Sequence, residues 1–305
     1  MLSFDEFVLY VKNNIEEFMP ESFRVKSIEV KEIKKNNGTL LNGLCINEED
    51  SNITPNIYLE GFYRKYEEGT ELGVLLHDIV DLRMKHDKNN INLDIFNDYD
   101  LVKKYIFPKI IGRVDWNLEY LSDKPHNHIC DLAVVYYVDI TEIFGNDEGT
   151  AAVVINNNLV DKWNIGETDL LFQSFKNLEG SERYTSVFKG MSKVLSCIAD
   201  DIPGLNEIFT DSDELMFVLT NNLSINGASI ILKEGVLRDI YEKLGLIVLI
   251  PSSVHEWIII RAADATDPEG LRDLINGVNT SQVTENERLS DHPYIFNGKD
   301  LAIYE

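Results

Sequence analysis

The sequence predicts an α+β fold: mixed β-sheets packed with helices, an N-terminal helix plus hairpin, and a C-terminal ββαββα unit. Three observations predict it. Apolar residues change period along the chain, from helical to alternating and back, without the strict alternation of βα units. Two segments, "DLAVVYYVDI" (131–140) and "LIVLI" (246–250), are apolar on both faces and read as central strands. The composition, 44% hydrophobic and 26% charged over 305 residues, suits a chain that buries a large core in one large domain or two ordinary ones. The expected halves are 1–145 and 146–305, joined as one continuous structural unit.

The elements follow in order. Phe4, Phe7, Val8, Val11, Ile15 and Phe18 recur at helical spacing, Ser3 and Glu6 form a capping box, and Pro20 closes the helix. "VKSIEVKEI" alternates only roughly in phase and leads through Asn36-Asn37-Gly38 into "TLLNGLCI", a hairpin with an Asn-Gly turn. "PNIYLEGFYRKYEEG" starts extended and bends into a helix. Residues 70–87 form an amphipathic helix, and a second short helix fits 98–106. "AAVVI" (151–155) neighbours the 131–140 strand, and helices fit 167–179 and 189–199 around a short strand at 183–188. "ELMFVLT" and "ASIIL" read as strands, and a helix over 233–244 stops at Gly245. "LIVLI" and "HEWIII" are strands, a helix over 268–278 is capped by Asp267 with Pro268 in its first turn, and "PYIF" and "LAIY" close the chain.

Charge is the unusual bulk property. There are 52 acidic and 28 basic residues, a net charge of −24, and the acidic excess by thirds of the chain is 9, 4 and 11. Such a field repels phosphate backbones and anionic lipid, so direct binding to nucleic acid or a membrane surface is disfavoured and a basic protein partner is favoured. An acidic surface of this kind can compete with nucleic acid for a basic protein. Cys45, Cys130 and Cys197 are an odd number, far apart and in apolar surroundings, which suits reduced thiols in the core of a cytoplasmic protein. The N-terminus lacks the bases of a signal peptide.

Candidate chemistry centres on "LIVLIPSSVHEWIII" (246–260). With a turn at Pro251-Ser252-Ser253 and a strand from Val254, Ser253 and His255 share a face, while Glu256 lies on the other. A catalytic reading takes Ser253 as nucleophile, His255 as base and a distant acid such as Asp291 or Asp264. There is no G-x-S-x-G elbow, and the turn reading, in which the hydroxyls satisfy backbone groups, is the stronger. Metal readings are weak: His77 and Asp81 share a solvated helix face, His86 points elsewhere, and His126, His128 and Cys130 lack further ligands. Glu29-Val30-Lys31 supplies half of a nuclease motif, with Asp5 the only upstream aspartate. Phosphate-cradling loops are absent. No cofactor and no metal is implied.

Six segments in order carry a resemblance: "NGLCINEEDSNITPNIYLEGFYRKYEEG", "DLAVVYY", "INNNLVDKW", "MFVLTNN…GASIIL", "LIVLIPSSVHEWIII" and "LSDHPYIF". Together, from about residue 25 to 297, they resemble a bacterial family often found near mobile elements and known as a domain of unknown function (number 5688). The last third also looks like a second uncharacterised family with the same strand, Pro-Ser turn and strand. The resemblance implies one evolutionary unit and a recurring set, Asn221, Ser252, Ser253, His255, Glu256, Ser290 and Asp291, but no activity, catalytic set or cofactor. Two expectations follow: a non-enzymatic, inhibitor-like regulatory protein acting on a basic protein partner, or a hydrolase using Ser253 and His255.

Overall fold

A computed structural model describes residues 1–49, 54–85, 93–141, 143, 152–191 and 214–305. The fold is α+β, and every strand pairing among the described residues is antiparallel, where mixed sheets were expected. The chain divides into two compact units: residues 1–35 with 39–93, and residues 94–305 with 36–38. A boundary near 145 would separate two strands that pair through Tyr137, Val138 and Asp139.

In the first unit, α1 (Phe4–Asn14) begins with the expected reciprocal cap. The Ser3 hydroxyl accepts from Glu6 N–H at 3.3 Å, and Ser3 N–H donates to the Glu6 carboxylate at 2.8 Å. Strands β1 (Val25–Lys34) and β2 (Leu40–Glu48) form the hairpin, and β3 (Ile57–Tyr58) adds a third strand before α2 (Glu60–Glu67) and α3 (Leu72–Lys85). The imperfect phase of the first strand has a physical cause: the register shifts between Val25 and Ser27, a β-bulge that moves Ile28 and Val30 onto the core face. Phe7, Val11, Leu44, Ile46, Leu75, Leu76 and Ile79 form that core. Arg83 is buried with them, its guanidinium donating to Ile46 O at 3.1 Å and lying over the Phe23 ring. His77 packs edge-on against Phe18, Asp81 is exposed, and His86 lies outside the described residues.

The second unit opens with α4 (Tyr99–Val102), shorter than the helix expected over 98–106, because Ile106 already begins β4 (Ile106–Arg113). That strand was not expected, and it contains Pro108. A proline is tolerated at a sheet edge, and β4 is one: the four-stranded sheet runs β4, β6 (Leu132–Asp139), β5 (His126–Ile129), with β7 (Ala152–Val154) also on β6. All eight residues of β6 are buried, as its two apolar faces require. The outer edge of β4 is satisfied by side chains: Ile110 N–H donates to Ser229 Oγ at 2.9 Å, and Ile106 O accepts from the Asn177 amide at 2.8 Å.

Short helices α5 (Leu118–Leu121) and α6 (Asn157–Trp163) precede α7 (Glu167–Gly180). A six-stranded sheet follows, ordered β13 (Leu301–Ile303), β12 (Tyr294–Phe296), β10 (Ile247–Ser253), β11 (Glu256–Arg261), β9 (Met216–Asn221), β8 (Ser186–Gly190). Helix α8 (Val236–Leu244) ends at Gly245, whose φ of 77° suits the residue without a side chain. Helix α9 (Pro268–Ser281) begins as expected, Asp267 accepting from Gly270 N–H. The helix expected over 189–199 falls largely outside the described residues.

One expected strand is a helix. "ASIIL" lies within a 3-10 helix over Gly227–Leu232. It is wedged in the core, and burial on every side makes its apolar run look like a strand. A Cβ at Gly227 would lie 2.0 Å from Thr220 Oγ1 and 2.3 Å from His255 O, so only glycine allows the approach. The C-terminal ββαββα order is altered accordingly.

Candidate functional site

The β10–β11 hairpin is tighter than its sequence suggested. Pro251 and Ser252 belong to β10, a bulge lies between Pro251 and Ser253, and Ser253 pairs with Glu256. The turn is therefore Val254-His255, beginning three residues beyond the proline. A short turn here follows from anchoring on both sides: Val254 N–H donates to Glu287 O at 2.8 Å, and Val254 O accepts from Ala228 N–H at 3.1 Å. Below the turn, Trp257 is fully buried, donates to Ala228 O at 2.8 Å and meets the Tyr294 ring edge to face.

The side chains at the turn serve the backbone. Ser253 Oγ accepts from His255 N–H at 3.1 Å, an ST-turn. Ser252 Oγ donates to the Glu256 carboxylate at 3.2 Å. The His255 ring is engaged at both nitrogens. Asn226 N–H donates to Nδ1 at 3.2 Å, so Nδ1 must be the lone-pair nitrogen and the proton sits on Nε2. That Nε2 lies 3.5 Å from the Glu287 carboxylate. The lone pair a general base would need is thus occupied by a backbone amide, while the opposite nitrogen faces an acid. Asn221, another member of the recurring set, closes its own loop by donating to Ile225 O and accepting from Leu223 N–H.

Asp291 lies in a second cluster, around Arg113 at the end of β4. The guanidinium donates to Asp115 at 2.8 and 3.0 Å, and lies 3.4 Å from Asp131 and 3.7 Å from Asp291. It also donates to His292 Nε2 at 3.0 Å, which places the proton of a neutral ring on a buried Nδ1 with no hydrogen-bond partner among the described residues. Tyr294 O–H donates to Asp131 at 2.6 Å. Burial first, and the neighbouring Asp131 charge second, push that phenol far above the usual tyrosine range. Ser290 is fully buried, its hydroxyl accepting from His292 N–H.

One segment, residues 284–292, serves both places. Leu289 is buried between them and its carbonyl accepts from Arg113 N–H. The segment is held by asparagines: Asn36 donates to Asn286 O, Asn37 to Glu285 O and Arg288 O, and Asn279 to Ser290 O. Asn37 has φ 57° and exchanges hydrogen bonds with Asn117. Sequence reasoning found Ser253, His255 and Asp291 but missed Asn226, Glu287, Arg113, Asp131, His292 and Tyr294. The pairings of Asn226 with His255, Arg113 with His292 and Tyr294 with Asp131 span 29, 179 and 163 positions, and no local spacing announces them.

The chain belongs to a recognised family. A model described as a family of unknown function (DUF5688) matches residues 4–298. The chain is a member of the DUF5688 family. No curated protein and no solved structure matches it.

The remaining motifs in this DUF5688 protein resolve simply. Cys45 is buried, but Cys130 is exposed with φ 52° at the β5–β6 turn, which breaks the apolar phase with Leu132; Cys197 lies outside the described residues. His126 and His128 are on β5, and no three histidine, cysteine or acidic side chains converge as metal ligands among the described residues. Glu29 and Lys31 pair with each other at 2.8 Å beside an open groove of about 800 Å³ along β1 and β2. Among the described residues no helix is long and apolar enough to cross a membrane.

Proposed function

We propose that this DUF5688 protein is a non-enzymatic, inhibitor-like regulatory protein that docks on a basic protein partner. The observation that supports the reading is the display of its charge. The 94–305 unit holds 35 acidic and 17 basic residues. Helix α9 and its flanks, residues 262–287, carry six acids and one base, and Asp264, Asp267, Glu269, Asp273 and Glu285 among them are exposed. Two cations and four aspartates are paired with one another apart from that helix: Arg113 is shared among three aspartates and Arg183 faces the buried Asp139. The exposed surface of helix α9 and its flanks keeps a clear acidic excess, which favours fast, salt-sensitive association with a cationic surface.

The catalytic alternative draws less support from the geometry, because His255 presents no lone pair to Ser253. The test is direct. The purified chain is offered to a lysine- and arginine-rich protein such as a histone, and to an acidic protein of similar size, with binding measured from about 50 to 500 mM salt. Association with the basic protein should weaken by at least tenfold across that range, since exposed charges are screened within ~8 Å at physiological ionic strength. Binding that ignores salt, or that is equal for the acidic protein, would overturn the reading.

A further inference from the structure

A cleft of about 250 Å³ opens in the 94–305 unit beside β5, and it shares no lining residue with the hairpin site. Its walls are of two kinds. Val114, Leu118 and Leu121 supply apolar surface, with Leu118 67% exposed. His126, Asn157 and Glu167 supply polar groups.

The hydrogen bonding determines what those groups can offer. His126 Nδ1 lies 2.8 Å from Lys124 O; a carbonyl only accepts, so Nδ1 carries the proton of the neutral ring and Nε2 keeps its lone pair. At the start of α7, Asp169 rather than Glu167 accepts the cap N–H of Gly166, at 3.0 Å, and so meets the positive end of the helix. The Glu167 carboxylate is therefore not needed as a cap. Lys124 also lines the cleft, but its ammonium already donates to Tyr120 O at 2.8 Å and to Asp123 at 2.6 Å, and sits over the Tyr120 ring.

The cleft thus offers a carboxylate, an imidazole lone pair and a side-chain amide beside aliphatic walls. The complement of that arrangement is a cation bearing several N–H donors on a short apolar stem. We propose that this cleft takes an arginine or lysine side chain of the basic partner, the stem against Leu118 and Leu121 and the head against Glu167 and His126. The inference rests on the docking reading above and gives it an anchor residue, since a few contacts carry a disproportionate share of binding energy at interfaces.

The test uses the full chain with butylguanidinium and butylammonium as cation probes and butanol as the neutral comparator, followed by protein NMR shifts. Both cations should bind and perturb the resonances of His126 and Leu118, with butanol at least tenfold weaker. Glu167→Gln should weaken the cations by about threefold to fivefold, the loss expected for an ion pair to an exposed carboxylate. His126→Phe should weaken them by a smaller factor. Glu167 is exposed, so its variant should fold normally, which circular dichroism checks. Butanol binding as well as the cations, or a Glu167→Gln variant with unchanged affinity, would overturn the proposal. The two readings fail separately. Histone binding without cation binding in the cleft removes only the anchor, whereas cation binding in the cleft without salt-sensitive histone binding removes only the docking role.

Discussion

Replacing Asn37 with glycine removes three side-chain hydrogen bonds while leaving intact the backbone conformation that positions them. The Asn37 amide donates to Glu285 O at 2.7 Å and to Arg288 O at 2.8 Å, and its oxygen accepts from Asn117 at 2.8 Å. At about 1 kcal/mol net each the sum is about 3 kcal/mol. The Glu285 contact is exposed, so water recovers part of it, while the added glycine freedom costs about 0.5–1 kcal/mol through the unfolded chain. A loss of about 2–3 kcal/mol is expected for Asn37→Gly. Asn37→Ala should lose about 1 kcal/mol more, because φ 57° is a left-handed conformation that costs a side chain with a Cβ about that much. Asn37→Asp should be the worst, since it sets a carboxylate oxygen against the two carbonyls the amide now serves. Urea unfolding followed by tryptophan fluorescence suits the measurement, because Trp116, Trp163 and Trp257 all lie in the 94–305 unit that includes residues 36–38. A glycine variant within 0.5 kcal/mol of the parent, or an aspartate variant no worse than glycine, would refute the reasoning.

Three further outcomes are expected. Trp257→Phe should destabilise the same transition by about 2–3 kcal/mol, since it leaves Ala228 O buried without its indole donor and opens a void in the core; a change under 1 kcal/mol would mean the site collapses or rehydrates. A serine-directed phosphonate should not label Ser253 in the native protein, and stoichiometric labelling lost in Ser253→Ala would restore the hydrolase reading. Burial raises Tyr136, Tyr137, Tyr184 and Tyr294 above the usual phenol range. Above about pH 10 the unfolded state therefore holds fewer protons than the folded one, so stability should fall as pH rises through that region. Ultraviolet titration should show these phenols ionising only as the protein unfolds.

What was legible in the sequence was local. The Ser3–Glu6 box, the Asn-Gly turn, the Gly245 stop and the Asp267-Pro268 start are fixed by groups within a few residues of one another, and each forms as read. What failed was decided by distant neighbours. β4 was missed; it holds Pro108, which an edge position tolerates, and its outer edge is satisfied by Asn177 and Ser229 arriving from later in the chain. The run at 227–232 was read as a strand because it is apolar on every side, and it is a helix because Thr220 and His255 leave room only for a glycine at its start. The hairpin turn slipped from Pro251 to Val254-His255 for the same reason: Glu287 and Ala228 hold the turn from outside, and neither is visible from the local pattern.

The candidate site divides along the same line. Ser253 and His255 looked like partners because they share a face in an extended chain, yet a hydroxyl that accepts its neighbour's N–H and a ring whose lone pair meets Asn226 N–H are both spent on the turn. A histidine used this way needs Asn226 and Glu287 on opposite sides, and a base would need one of those sides open. Asp291 meanwhile belongs with Arg113, whose single positive charge is shared by Asp115, Asp131 and Asp291. Gathering three carboxylates around one half-buried cation holds the 284–292 segment against β4. The same residues that look like a dismantled catalytic set therefore have a structural purpose: they lock the end of the six-stranded sheet.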